Sequence, residues 1–179
     1  MKAIMKTLFS MLLTLAILST LVVCAWVTAR IIAAVSFDIN CEQHLKRAAD
    51  ANTIEVAEQE LEKAITYLEE NNLTTGIVSI FWEQPQNDIG FWYNNLISSL
   101  EELENLPEDA SALEKNTVLM KLHETLTDSG SYGTVITHPY GISIYPNNVA
   151  YFWWGTISLI LAIFFWTVLF VGKKNYWFI

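Results

Sequence analysis

The chain has 179 residues, 53% of them hydrophobic and only 16% charged, with a mean hydropathy of +0.31. A soluble domain averages about 45–50% apolar and about 25% charged residues, so this composition argues against an ordinary soluble domain; 13% aromatics with only 4 Pro and 7 Gly argue against a disordered chain. The net charge of −9, from 10 Lys and Arg against 19 Asp and Glu, argues against a nucleic-acid partner, because that binding neutralises phosphates with cations; two cysteines cannot build a disulfide framework.

A short basic tail, residues 1–6 with Lys2 and Lys6, precedes the first uncharged run at residues 7–29, TLFSMLLTLAILSTLVVCAWVTA. Roughly 20 apolar residues cross the ~30 Å hydrocarbon layer as a helix, so this run is predicted to be a transmembrane helix. A cleaved signal peptide is the alternative, with Val27-Thr28-Ala29 as a small-residue site, but the run is much longer than the ~7–15 residues of a signal h-region. A lipoprotein site at Cys24 is poor, since Val23 stands where a small residue is wanted. Arg30 follows, close enough to snorkel to the interface.

Residues 30–148 form the acidic middle. All 19 acids lie between Asp38 and Asp128, and with Lys46, Arg47, Lys63, Lys115 and Lys121 as the bases of segment 35–148 that segment carries a net −14. Helix signals recur through it. Asn40 with Gln43, Asn52 with Glu55, and Ser111 with Glu114 have the spacing of capping boxes, in which side chains satisfy the free N–H groups of a first turn. After Asn52, the residues Ile54, Ala57, Leu61, Ile65 and Leu68 form one apolar stripe, and Glu58, Glu60, Glu62, Lys63, Glu69 and Glu70 are expected on the solvated side. The run Ile77–Trp82 reads as either strand or helix and ends at Pro85. Asp88 is expected to cap a helix carrying Phe91, Trp92, Leu96, Leu100 and Leu103, stopped by Pro107. A further helix carries Val118, Leu119, Leu122 and Leu126 and is expected to end at Asp128-Ser129-Gly130. Such stripes bury themselves only against one another, which predicts a helical bundle. A β-hairpin is expected at about 133–145, pairing Thr134–Thr137 with Ile142–Tyr145 around His138-Pro139-Tyr140-Gly141, packed on the bundle or at the membrane interface.

The second uncharged run, residues 149–171, is a second predicted transmembrane helix, with Asn148 as its cap and Lys173 and Lys174 in the tail 172–179. Basic residues at both ends put both termini in the cytoplasm by the positive-inside rule, and the middle outside. Tyr145, Tyr151, Trp153, Trp154, Trp166, Tyr176, Trp177 and Phe178 flank the second run as expected interface anchors. With tails of about six and eight residues, no cytoplasmic signalling domain is expected. Ala16, Thr20, Gly155, Ser158 and Ala162 are small residues at which the two helices could approach each other or a larger complex.

Catalytic chemistry finds little purchase. There is no Gly-x-Ser-x-Gly elbow and no Gly-rich phosphate loop, and no charged residue lies within either run as a transport path requires. His123-Glu124 lacks the spacing of a metalloprotease helix. Cys41 and His44, with His123 or His138, make an incomplete set by zinc standards. Glu69-Glu70 and Glu101-Glu102 read as solvated-face charges rather than a hydrolase pair. Asn72-Leu73-Thr74 is a glycosylation sequon, meaningful only in a eukaryotic secretory route. No catalytic, cofactor or metal residues are therefore expected.

Three phrases carry a resemblance: Asp38-Ile39-Asn40-Cys41 continuing through His44–Thr53; Gly90-Phe91-Trp92-Tyr93-Asn94-Asn95-Leu96; and Pro139–Asn148. Together they resemble a group of small bacterial membrane proteins, frequent in cyanobacteria, to which no activity attaches. The resemblance spans nearly the whole chain and implies a bacterial inner membrane and no catalytic residues. The expectation is a mainly α protein, with two transmembrane helices and an extracytoplasmic helical bundle. It would act without catalysis as an accessory or scaffolding subunit bound to other membrane or envelope proteins or to copies of itself. The alternative is a sensory or ligand-binding module with a pocket lined by Trp82, Trp92 and Tyr93; a membrane-bound hydrolase comes third. Cys41 and His44 complete the candidate interaction residues.

Overall fold

The computed structural model describes residues 2–130 and 133–175. The chain is mainly helical, with α1 (Lys2–Phe37), α2 (Gln43–Ala49), α3 (Ile54–Glu70), α4 (Ile89–Glu104), α5 (Ala112–Leu126) and α6 (Asn148–Asn175), and a two-stranded antiparallel sheet of β1 (Thr127–Gly130) and β2 (Gly133–Ile136). It divides into two compact units, one of Met1–Ile32 with Val149–Ile179, the other Ala33–Asn148.

In the first unit, two helices are long and apolar enough to cross a membrane, by length and composition. Only 11% and 22% of their most apolar windows are covered within the molecule, whereas a core helix of a soluble protein would be mostly covered. At about 1.5 Å per residue, the 36 residues of α1 reach ~54 Å, well beyond the ~30 Å that a hydrocarbon core requires. The helices meet along small residues: Ala16, Ser158 and Ala162 are buried, and a Cβ on Gly155 would sit 2.5 Å from the Trp26 ring. Two tryptophans tie the seam. Trp26 Nε1 donates to the Tyr151 carbonyl at 2.8 Å, and Trp166 Nε1 to Thr20 Oγ1 at 3.0 Å. Trp166, expected as an anchor, is thus also an inter-helix tie.

In Ala33–Asn148, α3 is the central element and packs against α2, α4 and α5. Its apolar stripe is buried as the spacing predicts: Ile54, Ala57, Leu61, Ile65 and Leu68, facing Leu45, Ile89, Leu96, Leu103, Leu122 and Leu126. Burying each such Leu or Ile contributes about 1.5–3 kcal/mol. Asp88 caps α4, accepting from the Phe91 N–H at 3.1 Å. Ser111 and Glu114 form the complete capping box of α5.

Several expectations are corrected. Asn40 does not start a helix: no Gly or Pro interrupts residues 30–49, so the helix runs from α1 through a π-turn at Asp38–Glu42 into α2, and the Asn40 amide donates back to the Ser36 carbonyl at 2.7 Å. The cap of α3 is Thr53, one residue after Asn52, its hydroxyl accepting from Val56 N–H. Glu60, expected in solvent, is 3% exposed. The hairpin at 133–145 is replaced by β1–β2, with Thr127 opposite Ile136 and Gly130 opposite Gly133. Asp128-Ser129-Gly130 is therefore strand rather than helix end. The would-be second strand curls because Gly141 turns left-handed at φ 86° and Pro139 has no N–H to donate. Ile142–Ile144 then forms a 3-10 turn with Ile142 and Ile144 buried, so their alternation marks a turn edge packed on the core. The ambiguous Ile77–Trp82 run is neither strand nor helix; only an isolated bridge joins Ile77 to Asp88.

Candidate functional site

The Ala33–Asn148 unit carries a cleft of about 700 Å³, within the ~300–1,000 Å³ usual for ligand pockets. One wall is the N-terminal half of α4. Asp88, Phe91, Trp92, Asn95 and Leu96 line it, and their spacings of three and four put them on one helix face. The opposite wall is the β1–β2 face. Asp128 and Val135 are direct partners across the sheet, so their side chains share a face; Thr137, two residues on from Val135, continues that face. His138, Pro139 and Tyr140 close one end, and Pro85 and Gln86 the other rim.

The walls are tied at the base. Trp92 Nε1 donates to the Thr137 carbonyl at 2.8 Å, and the Thr137 hydroxyl donates to the Leu126 carbonyl at 3.1 Å. His138 stacks edge-on against Phe37, with ring centroids 5.2 Å apart, and its Nε2 lies 3.6 Å from Glu42 Oε2. The rim, by contrast, is uncovered: Phe91 is 65% and Tyr140 83% exposed. Phe91, expected on the core stripe of α4, therefore faces solvent beside the cleft, while Ile89, Trp92, Leu96 and Leu103 take the inward face.

Of the sequence-derived candidates, Trp92 lines this cleft. Trp82 is 78% exposed on the preceding loop and is not part of the lining. Tyr93 is not part of the lining and donates its hydroxyl to Glu69 Oε1 at 2.6 Å; burial, with the Glu69 carboxylate beside it, pushes the phenol up to about 12. Trp82, Trp92 and Tyr93 thus do not form one pocket. Cys41 is fully buried, and burial with Glu42 nearby pushes its thiol up to about 12, which suppresses the reactive thiolate. Among the described residues, no three His, Cys, Asp or Glu side chains converge to hold a metal ion.

His44 belongs to a second constellation. Its Nδ1 lies 2.7 Å from Glu60 Oε2, while Lys63 Nζ donates to Glu60 Oε1 at 2.8 Å and Arg47 Nη2 lies 3.2 Å from the same oxygen. Burial pushes the Glu60 carboxyl up, but the hydrogen bonds from Lys63 and His44 and the charges of Arg47 and Lys63 outweigh it and hold the group below its ordinary value. This cluster fastens α2 to α3.

Among the expected anchors, Tyr145 packs on the domain. Gly76, at φ 114°, leaves room for the Tyr145 ring, which a Cβ there would strike. Trp153 and Trp154 are 52% and 38% exposed on α6, and Tyr151 lies 5.7 Å from Trp154, centroid to centroid. Trp177, with Tyr176 and Phe178, lies outside the described residues.

Sequence reasoning passed over Asp128, Tyr140 and Pro139 as cleft residues, weighed His138 only as a metal ligand or a turn residue, and took Asp88 only as a cap. The available signal was the helical register 88, 91, 92, 95. A scan against protein-family models gives no match for the chain, and no curated protein or solved structure matches it.

Proposed function

We propose that this is an integral membrane protein in which α1 and α6 are the anchors and Ala33–Asn148 is a non-enzymatic binding domain, serving as an accessory or scaffolding subunit for other membrane or envelope proteins or for copies of itself. The uncovered rim of the cleft carries this reading: Phe91 and Tyr140 stand 65% and 83% exposed beside an otherwise packed core, and apolar surface rimmed by polar residues is what a partner covers. Lys2, Lys6, Lys173 and Lys174 support cytoplasmic termini and an extracytoplasmic domain. The resemblance to small bacterial membrane proteins supports an inner membrane.

Light scattering of the full chain purified in mild detergent tests the proposal. A stoichiometric complex with another membrane protein, or a defined homo-oligomer, is expected; a lone monomer at working concentration contradicts it. The cleft volume of about 700 Å³ favours a sensory, ligand-binding role as the second reading. In that case a small molecule should raise the thermal midpoint of the full chain without any protein partner.

A further inference from the structure

The electrostatics of the cleft narrow its occupant. One acid stands on each wall, Asp88 at the start of α4 and Asp128 on β1, and no Lys or Arg contributes to the lining. The surrounding segment 35–148 reinforces this field, with 19 acids against five bases for a net −14. An anionic occupant would be repelled from both walls. The aromatic rim points the same way, since a guanidinium or ammonium gains from lying over Phe91 and Tyr140 while one carboxylate or the other balances its charge.

We infer that the cleft docks an extended segment of a partner protein in which Lys or Arg alternates with apolar residues. A segment, rather than a small cation, matches the rim: Phe91 and Tyr140 remain 65% and 83% exposed outside the cleft floor, and a chain laid along the cleft covers them where a compact ligand on the floor would not. The inference rests on the reading of the protein as a binding subunit.

The test uses the full chain in phosphatidylcholine nanodiscs, with empty nanodiscs as the blank. The probes are a fluorescent octapeptide alternating leucine and lysine, its leucine–glutamate counterpart, and free lysine amide. Binding is read by anisotropy and by the Trp92 indole N–H resonance. Asp88→Asn with Asp128→Asn removes both charges while keeping the α4 cap, because Asn caps as well as Asp. Phe91→Gln with Tyr140→Ser removes the rim at exposed positions. The inference expects the leucine–lysine peptide to bind and shift the Trp92 resonance, each double variant to weaken it at least about tenfold, and the leucine–glutamate peptide to stay free. Equal binding to the charge variant, no binding to the native chain, or a match by lysine amide alone would each overturn it. A detergent complex that forms unchanged with Phe91→Gln and Tyr140→Ser would sink this inference and spare the binding-subunit reading. A lone monomer that still takes the peptide with the stated dependence would do the reverse.

Discussion

Glu60 is the residue on which the domain interior turns. A carboxylate 3% exposed stays ionised only because His44, Arg47 and Lys63 surround it. Removing the charge leaves Arg47 and Lys63 without their counter-charge. Arg47 and Lys63 are themselves mostly in water, at 65% and 53% exposure, which softens the loss. Glu60→Gln should destabilise the full chain by about 2 kcal/mol, below the larger figure for a fully buried pair, seen as a lowered thermal midpoint at neutral pH. The sign with pH follows from the depressed carboxyl. Its contribution is present above the ordinary value of 4.5 and is lost as pH falls below 4.5 through the lower folded value. The gap between native chain and Glu60→Gln should therefore close on acidification; a gap that widens would contradict the assignment. Cys41 gives a second residue-scale expectation. Fully buried and with its thiol at about 12, it should resist a water-soluble maleimide in the folded chain and react after denaturation.

The helices were legible where a periodic stripe met a cap. α3, α4 and α5 follow from their apolar spacing, and Ser111 with Glu114 forms the anticipated capping box. Ser111→Ala should cost about 1 kcal/mol in the unfolding of the domain, measured by urea titration of the full chain. The misreadings have local causes. Asn40 looked like a cap because of Gln43, but an uninterrupted helix already supplied acceptors for its first-turn donors, and the amide turned back to Ser36. The β1 sequence Thr-Asp-Ser-Gly has no strand character of its own, and its pairing with β2 comes from its place after α5, where the Thr137 N–H meets the Leu126 carbonyl at 2.9 Å. Trp82, Trp92 and Tyr93 were grouped because they are aromatic and near in sequence, yet Trp82 precedes α4 and Tyr93 turns to Glu69 on α3. Glu60 was misassigned because its partners Arg47 and His44 sit on another helix, a fact that no periodicity encodes. In the membrane-length pair, the small residues were visible but the role of Trp26 was not. Gly155→Ile should push the helices apart there, since even a Cβ falls 2.5 Å from the Trp26 ring, and the Trp26 indole N–H resonance should move as its bond to Tyr151 is lost.

At the scale of the whole chain, the net charge of −9 averages two unlike parts. The runs 7–29 and 149–171 carry no charge, while segment 35–148 carries −14. That segregation underlies the proposal of an anchored, acidic binding domain. The most direct measurement combines extraction with labelling. In a Cys24→Ser background, Asn116→Cys places a thiol at an exposed position on α5, while the buried Cys41 stays silent. The account predicts that the chain remains in the membrane pellet after alkaline carbonate, and that the cysteine at 116 reacts with a membrane-impermeant maleimide in spheroplasts with an intact inner membrane. Release of the chain by carbonate, or labelling only after the membrane is broken, would contradict it.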